Sequence, residues 1–383
     1  MANQEATLNN EGIETPQDPM VRSFRFWMLI PVLILLAAFV LDKQLFIWRF
    51  PDYFLRTASY LSYEHKIELM EQLEAELSLP IEQRGRIAVM FGNSRTTSFS
   101  NDYIESRFPG WKLYNFSVPG GTSDYFYYLM QQFEERNIRP DFVFFAVTPQ
   151  GLNATPSIAM DEVMLNGLPA DFMFENAMQY SPGDISNYVA KRLFWNYQYR
   201  PKLPVILERL EHNSRGARQF RIFVSENLNA MHVNRGSVPY SDFSDIPQDE
   251  DFLRRTAEGT WRDFLNPFHL NEGQVYFMRE MVAAAERLQI PNAMVWVKVG
   301  SHLREFKATR VVQTTPTGQE LTIRDIFTPI VLEIVRENSH TAFLDMNYTD
   351  AISCDRFYDS SHLAGVCFPE FTDYLFSHIE SRL

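Results

Sequence analysis

The sequence predicts an α/β protein with a doubly wound, mainly parallel sheet of five strands, a helical insertion and an N-terminal transmembrane helix. Short, almost uncharged apolar runs alternate with helix-prone segments, as is typical of parallel strands that are buried on both faces. The chain has 383 residues, of which 45% are hydrophobic and 14% aromatic. This composition suffices for a packed core in one large domain or two smaller ones.

Three segments precede the sheet. Residues 1–20 are polar, rich in Asn, Gln, Glu and Pro, and predict a disordered tail. Residues 24–43 hold an uncharged apolar run flanked by aromatic residues, which predicts an uncleaved transmembrane anchor, although the run is short for a span of roughly 20 residues. A buried soluble helix and a cleaved signal peptide are the alternatives. Residues 52–85 predict a helix that serves as a stalk or packs on the domain.

The main domain is predicted to occupy residues 86–383. Five apolar runs predict its strands, at residues 86–91, 111–116, 142–147, 293–299 and 342–344. Helices are predicted at residues 124–136, 273–288, 326–337 and 369–382. A largely helical insertion is expected at about 156–270, beside the site, and a second insertion at 301–322. In such sheets ligand chemistry lies at the carboxyl ends of the strands.

Composition and motifs exclude several classes of function. The net charge is −13 and no stripe of Lys and Arg is visible, which argues against nucleic acid as a partner. Cys354 and Cys367 form no Cys-x-x-Cys pair, and no His-Glu-x-x-His helix occurs, so no metal site is predicted. Phosphate-loop and dinucleotide fingerprints are also absent from the sequence, and no cofactor is expected.

Two short runs at opposite ends of the domain carry the residue types of a nucleophilic serine site. Ser94 directly follows the first predicted strand, and Asp359 lies three residues before His362. A serine can act as a nucleophile when a histidine takes its proton and a carboxylate orients that histidine. The alternatives are that Ser94 caps a helix and that His362 is an exposed loop residue beside a capping Asp.

The order of these runs resembles the SGNH (GDSL-type) hydrolase superfamily. In that family a Gly-Asp-Ser follows the first strand, a glycine the second, and an Asn in Gly-x-Asn-Asp the third, while Asp-x-x-His closes the domain. Here residues 92–95 read Gly-Asn-Ser-Arg, with Asn for the usual Asp, and residues 359–362 match fully. The third block, residues 151–154, keeps Gly and Asn but loses the Asp. The resemblance covers about 86–155 and 270–383.

The resemblance implies a three-layer α/β/α fold of the SGNH or flavodoxin-like kind, and it implies oxyanion donors. Gly120 would give a backbone N–H and Asn153 a side-chain N–H. Gly120 is otherwise an ordinary turn residue, and Asn153 a loop or capping residue. Asn115 and Asn93 are alternative donors. Arg95, beside the nucleophile, could meet an anionic group, but it is interpreted as a surface residue.

The function implied by the resemblance is that of a membrane-anchored serine esterase or O-acyltransferase. It would act on an ester-linked acyl group, with an envelope polysaccharide as a candidate substrate. The expected partners are the membrane, an acylated carbohydrate or polymer, and envelope acylation proteins, and the C-terminal domain is expected outside the cytoplasm. Because the third block is degraded, a non-catalytic binding or assembly component of an envelope complex is the alternative.

The two cysteines flank the segment that carries Asp359 and His362. Their even number and an oxidising compartment permit a disulfide across this loop, between Cys354 and Cys367. Two buried free thiols are the alternative.

Overall fold

The computed structural model describes residues 19–47, 58–154, 160–199, 226–239 and 249–381, together with residues 204, 207, 211 and 218. The predicted tail, apart from its last two residues, lies outside the described residues. The α-helices, numbered along the chain, are α1 Pro19–Ile47, α2 Ala58–Leu77, α3 Ile81–Arg84, α4 Asn101–Arg107, α5 Ser123–Arg136, α6 Met160–Gly167, α7 Ala170–Glu175, α8 Pro182–Leu193, α9 Trp195–Tyr199, α10 Leu228–Val233, α11 Glu250–Phe264, α12 Glu272–Arg287, α13 Ser301–Thr309, α14 Ile323–Glu337 and α15 Phe368–Glu380.

The centre of the molecule is a parallel sheet of five strands, as the sequence predicts. The strands, again in chain order, are β1 Arg86–Phe91, β2 Trp111–Asn115, β3 Phe142–Ala146, β4 Asn292–Trp296 and β7 Thr341–Asp345. Their order across the sheet is β2-β1-β3-β4-β7, and every neighbouring pair is parallel. The strands β5 Val311–Thr314 and β6 Glu320–Thr322 form a separate antiparallel hairpin.

Helices cover both faces of this sheet. Successive side chains of a strand point to opposite faces, so Val89 of β1 packs in one core with α5, α12 and α14, while Met90 packs in another with α4 and α15. Val89 and Met90 are both fully buried. Burial on both faces explains why β1 and β3 are nearly continuous apolar runs in the sequence.

The N-terminal helices differ in how they meet the domain. α1 covers residues 24–43, where the sequence predicts an anchor. Among the residues that the structure describes, no helix combines the length and the apolar character that crossing a membrane requires.

α2 packs on the domain, with Leu69 and Leu73 fully buried. Lys66 of α2 donates hydrogen bonds to the carbonyl oxygens of Asn115, 2.7 Å away, and Gly236, 2.9 Å away.

The described parts of the region between β3 and α12 are largely helical, as predicted for the insertion at about 156–270, and they comprise α6 to α11. α11 returns to the sheet and packs with α13 through Trp261, Leu265 and Leu303. The predicted second insertion at 301–322 consists of α13 and the β5–β6 hairpin.

Candidate active site

Ser94 lies just beyond the end of β1. The chain leaves β1 at Phe91 and enters a single 3₁₀ turn at Ser94–Thr96. The side chain of Asn93 caps this turn, because its Oδ1 accepts a hydrogen bond from the Arg95 amide at 3.1 Å. The Ser94 hydroxyl therefore does not cap the turn, and Ser94 is exposed.

Gly92 allows the chain to make this exit. A Cβ atom at residue 92 would lie 2.1 Å from Thr96 Oγ1 and 2.8 Å from Ser117 Oγ. These two hydroxyls are themselves hydrogen bonded at 2.8 Å. Any side chain at residue 92 would push on the segment that carries Ser94.

His362 comes from the loop between β7 and α15 and meets Ser94 across the carboxyl end of the sheet. The distance between Ser94 Oγ and His362 Nε2 is 2.8 Å. His362 Nδ1 lies 2.9 Å from each carboxylate oxygen of Asp359. An ionised carboxylate only accepts hydrogen bonds, so Nδ1 carries the proton and Nε2 is free to accept the Ser94 proton.

Asp359 is held as an anion. Burial alone would raise the pKa of Asp359, but the hydrogen bond and charge of His362 and the amides of Ser361 and His362 lower it below the ordinary value. Asp359 Oδ1 accepts from the Ser361 amide at 2.7 Å and from the His362 amide at 3.0 Å. The carboxylate thus stays charged and fixes the imidazole ring.

A disulfide closes the segment that presents Asp359 and His362. It joins Cys354 to Cys367, whose Cα atoms are 5.5 Å apart. Within the loop, Phe357 and Leu363 form an isolated antiparallel bridge, and the Tyr358 amide donates to the His362 carbonyl at 2.9 Å. The loop is therefore a cross-linked hairpin that carries Asp359 and His362 at its tip.

Ser94 and Gly120, which both line the cavity, have backbone amides without an acceptor among the described residues. Among the described residues, neither the Ser94 amide nor the Gly120 amide donates to a protein group. Gly120 has φ 70° and lies in the loop after β2, on the cavity wall with Ser94. Tyr63 of α2 supports this loop by donating to the Pro119 carbonyl at 3.0 Å. Unpaired N–H groups beside a nucleophile are suited to hold an oxyanion.

Asn153, predicted as an oxyanion donor, is not among the residues that line the cavity, and its side chain is engaged elsewhere. Its Nδ2 donates to the carbonyl oxygens of Phe264 and Pro267, both at 3.0 Å, which uses both amide hydrogens. Its Oδ1 accepts from the His269 amide at 2.8 Å. Asn153 therefore ties together the chain between α11 and α12.

Of the two alternative donors, Asn115 is engaged. It donates from Nδ2 to the Thr96 carbonyl at 2.7 Å and to Ser237 Oγ at 3.1 Å, which uses its amide hydrogens in a fully buried setting. Asn93 lines the cavity, and its Oδ1 caps the turn at Ser94–Thr96, a bond that does not use the hydrogens on its Nδ2.

Gln150 is the polar residue after β3 that the sequence comparison missed. It is 1% exposed, lines the cavity, and accepts a hydrogen bond at Oε1 from Arg95 Nη1, 3.5 Å away. Its Nε2 is buried and has no partner among the described residues. Its position in the sequence could have identified it, because Gln150 is closer than Asn153 to the end of β3.

Arg95 is buried, contrary to its interpretation as a surface residue. Only 7% of it is exposed, because the turn after Ser94 directs it into the protein. Burial lowers the pKa of Arg95 to about 10, although the nearby Asp359 carboxylate acts in the opposite direction. The guanidinium therefore remains charged near neutral pH.

These groups surround one open cavity of about 230 Å³. The lining residues come from the loops after β1, β2, β3 and β7 and from α11, and they are Asn93, Ser94, Arg95, Gly120, Gln150, Thr260, Phe264, Asp359, Ser361 and His362. The loops after β1 and β3 leave the sheet at its topological switch point, where open α/β sheets bind ligands.

The insertion contributes one wall of the cavity and supports the catalytic loop. Thr260 and Phe264 of α11 line the cavity. Thr256 Oγ1 accepts from the Ser360 amide at 3.1 Å, and Thr260 Oγ1 lies 3.3 Å from Ser360 Oγ. The placement of α11 beside the site agrees with the position expected for the insertion.

Within the described ranges, no group of three or more His, Cys, Asp or Glu side chains is arranged to hold a metal ion. The cavity instead assembles a hydroxyl, an imidazole, a carboxylate and several N–H donors, which is the set of groups that acyl transfer through a serine requires.

No curated protein matches the chain. Residues 23–379 match a family that is described as protein of unknown function, DUF1574. This match spans most of the helix α1, the whole sheet and all of the cavity-lining residues. The chain therefore belongs to the DUF1574 family.

Proposed function

We propose that this protein is a serine esterase or O-acyltransferase that forms an acyl-enzyme on Ser94. The observation that carries the proposal is the continuous hydrogen-bonded chain from Ser94 Oγ through His362 to Asp359, at 2.8 Å and 2.9 Å. Ser94 lies 268 residues from His362 in the sequence, so the fold, and not chain proximity, brings the hydroxyl to the imidazole.

In the first half of the reaction, Ser94 Oγ attacks the acyl carbon of an ester while His362 Nε2 takes the hydroxyl proton. Asp359 stabilises the imidazolium that forms. The ester carbonyl oxygen becomes an oxyanion, which the amides of Ser94 and Gly120 and the side-chain N–H of Gln150 stabilise. His362 then gives its proton to the leaving alcohol, and the acyl group remains on Ser94.

In the second half, an acceptor hydroxyl attacks the acyl-enzyme. His362 takes the proton of that hydroxyl and returns it to Ser94 Oγ as the acyl–serine bond breaks. Water as the acceptor gives hydrolysis, and a sugar or polymer hydroxyl gives transfer. The cavity is open, which suits the hydroxyl of a large acceptor such as an envelope polysaccharide.

The fold supports an SGNH-like assignment. When the β5–β6 hairpin is set aside, the strand order across the sheet becomes the 2-1-3-4-5 order of flavodoxin-like proteins. Helices on both faces make three layers. The serine follows the first strand and the Asp-x-x-His precedes the last helix, as in that superfamily. The departure is at the third block, where we assign Gln150 to the role of the family's Asn.

We further propose that α1 attaches the protein to a membrane, with the catalytic domain outside the cytoplasm. Leu33, Ile34, Leu35 and Leu36 are each more than half exposed. Four successive helical residues point in all directions around the axis, so the apolar surface surrounds the helix. Lipid is the environment that such a surface prefers. A membrane location would also bring the site close to envelope acyl donors and to partner proteins of acylation.

A fluorophosphonate probe, which reacts with activated serines, tests the catalytic proposal. The wild-type protein should be labelled once per chain, and Ser94→Ala should not be labelled. Ser106→Ala is the matched control, because Ser106 is an exposed serine of α4 and bonds only its own helix. An unlabelled wild type with normal folding would instead favour the non-catalytic binding component.

A further inference from the structure

Arg95 is a charged residue of the catalytic cavity that the proposed mechanism does not use. It follows the nucleophile directly and lines the same cavity as Ser94 and His362. It is 93% buried, since its exposed fraction is 7%. A buried guanidinium at a reaction centre calls for a compensating partner, because burying an unpaired charge is costly.

The protein supplies Arg95 with little compensation. Among the described residues, the guanidinium makes one hydrogen bond, from Nη1 to Gln150 Oε1, and this bond is long at 3.5 Å. Asp359 is near enough to act on Arg95 electrostatically but forms no ion pair with it in the described structure. The Asp359 carboxylate is already engaged by the His362 ring and by the amides of Ser361 and His362.

A buried lysine lies in the same electrostatic environment. Lys307 of α13 is fully buried, and its Nζ has no hydrogen-bond partner among the described residues. Burial lowers the pKa of Lys307 well below its ordinary value, the charge of Arg95 adds to this effect, and Asp345 acts against it. Lys307 therefore gives Arg95 no negative partner, and Arg95 lines an open cavity.

We propose that Arg95 binds an anionic group of the substrate, a carboxylate or a phosphate placed close to the ester that Ser94 attacks. The planar guanidinium can donate two parallel hydrogen bonds to the oxygens of either group. Arg95 Nη1 donates to Gln150 Oε1, which places that end of the guanidinium beside Gln150. This inference rests on the proposed acyl transfer, and it makes Arg95 a determinant of specificity rather than a member of the triad.

The anionic group can belong to the acyl part of the ester or to its alcohol part, and two matched pairs of esters distinguish these. The acyl-side pair is p-nitrophenyl hemisuccinate and its neutral methyl ester. The alcohol-side pair is 4-acetoxybenzoate and its neutral methyl ester. In each pair the reacting ester is the same and only the distal charge differs. The measured quantity is the ratio of kcat/KM for the anionic ester to that for the neutral ester.

In at least one pair, the wild-type ratio should exceed 10, and Arg95→Met should lower that ratio at least tenfold. Arg95→Lys keeps the positive charge but loses the pair of parallel N–H donors. Its ratio should fall between those of the wild type and Arg95→Met. Arg262→Met is the control for long-range charge, because Arg262 is exposed on α11 and pairs with Asp263 at 2.8 Å; it should leave the ratio unchanged. Wild-type preference for the neutral ester in both pairs would overturn the inference even if Arg95→Met fails to fold.

A binding measurement separates failure of this inference from failure of the proposed function. Ser94→Ala protein is titrated with succinate and with inorganic phosphate in a calorimeter, and the double variant Ser94→Ala/Arg95→Met is titrated in parallel. At least tenfold weaker binding of one anion in the double variant supports the inference, even if the wild type cleaves no ester. Equal binding by both proteins, or no binding by either, refutes the anion site and leaves the triad proposal standing.

Discussion

Asn93 and Ser94 are adjacent residues with separate tasks. The Asn93 side chain satisfies the Arg95 amide at the start of the turn, so the hydroxyl of Ser94 is left for His362. A serine that capped the turn would have its oxygen occupied by a backbone N–H. This division explains how a residue type that often caps helices can serve as a nucleophile at the end of β1.

The triad can be tested by single substitutions. Ser94→Ala and His362→Ala should each lower kcat by a factor on the order of 10⁴ to 10⁶, because each removes a group that acts at the reacting bond. Asp359→Ala should be about 10- to 100-fold less severe, since an unoriented imidazole keeps some basicity. Steady-state kinetics of ester cleavage give these values.

Two measurements control the triad test: the rate of a double variant and the unfolding free energy of Ser94→Ala. The double variant Ser94→Ala/His362→Ala should be no slower than Ser94→Ala, because the residues act as one unit. If Ser94 were instead a helix cap, Ser94→Ala would lose about 1 kcal/mol of unfolding free energy without a chemical defect. Full activity in Ser94→Ala would contradict the assignment.

Gln150 provides the second test at this scale. Replacing Gln150 by Ala should lower kcat by a factor of about 10² with a neutral ester, as expected for the loss of one oxyanion donor. Asn153→Ala is the contrast. It removes the bonds to Phe264 and Pro267, so it should lower the free energy of unfolding by about 1–3 kcal/mol. The reverse pattern, with kcat lost only in Asn153→Ala, would restore Asn153 as the donor.

At the scale of single elements, the turn after β1 depends on the absence of a side chain at Gly92. Gly92→Ala should lower the free energy of unfolding by about 1–3 kcal/mol, because the added methyl group overlaps Thr96 Oγ1 and Ser117 Oγ. Gly259→Ala is a matched control within α11, where an added Cβ meets no atom within 4 Å. That change should raise stability by about 0.5–1 kcal/mol. Urea unfolding of both variants measures the contrast, and equal shifts would refute the steric argument.

The disulfide also stabilises a single element, because it encloses the hairpin that carries Asp359 and His362. Replacing Cys354 and Cys367 by Ala should lower the free energy of unfolding by about 3 kcal/mol in the chain-entropy model for a loop of this length. It should also lower kcat, because the catalytic pair is held less firmly. Reductant should reproduce both losses in the wild type and change nothing in the double variant. Wild-type stability and rate under full reduction would show that the packing around the loop is sufficient.

At the scale of the whole molecule, the sheet could be predicted from the sequence, because each strand buried on both faces is a continuous apolar run. The contacts among Ser94, His362 and Asp359 could be predicted because Asp359 and His362 are close in sequence and Ser94 adjoins a strand. The sequence could not show whether Gln150 or Asn153 lines the cavity, because this depends on which way the chain turns after β3. The burial of Arg95 could not be predicted either, because a charged residue after a strand is most often exposed.

The exposed apolar surface of α1 predicts a membrane location for the whole molecule. The C-terminal part of α1 docks on the domain, where Asp42 accepts from the Trp195 amide at 2.8 Å and the Asn196 amide at 2.9 Å. The apolar side chains before it remain exposed, and burying each leucine side chain of this kind in an apolar environment is worth about 1.5–3 kcal/mol. The full chain should therefore sediment with membranes and be released by detergent but not by high salt.

Two variants and a reporter sharpen this test. Leu33→Arg combined with Leu36→Arg places charges in the exposed apolar stretch and should move the protein to the soluble fraction, whereas Leu33→Ile with Leu36→Ile should not. A C-terminal alkaline phosphatase fusion should be active, because that enzyme matures only outside the cytoplasm, and a cytoplasmic reporter at the same position should be inactive. Recovery of the unchanged chain in the soluble fraction would show that α1 is covered by protein instead of lipid.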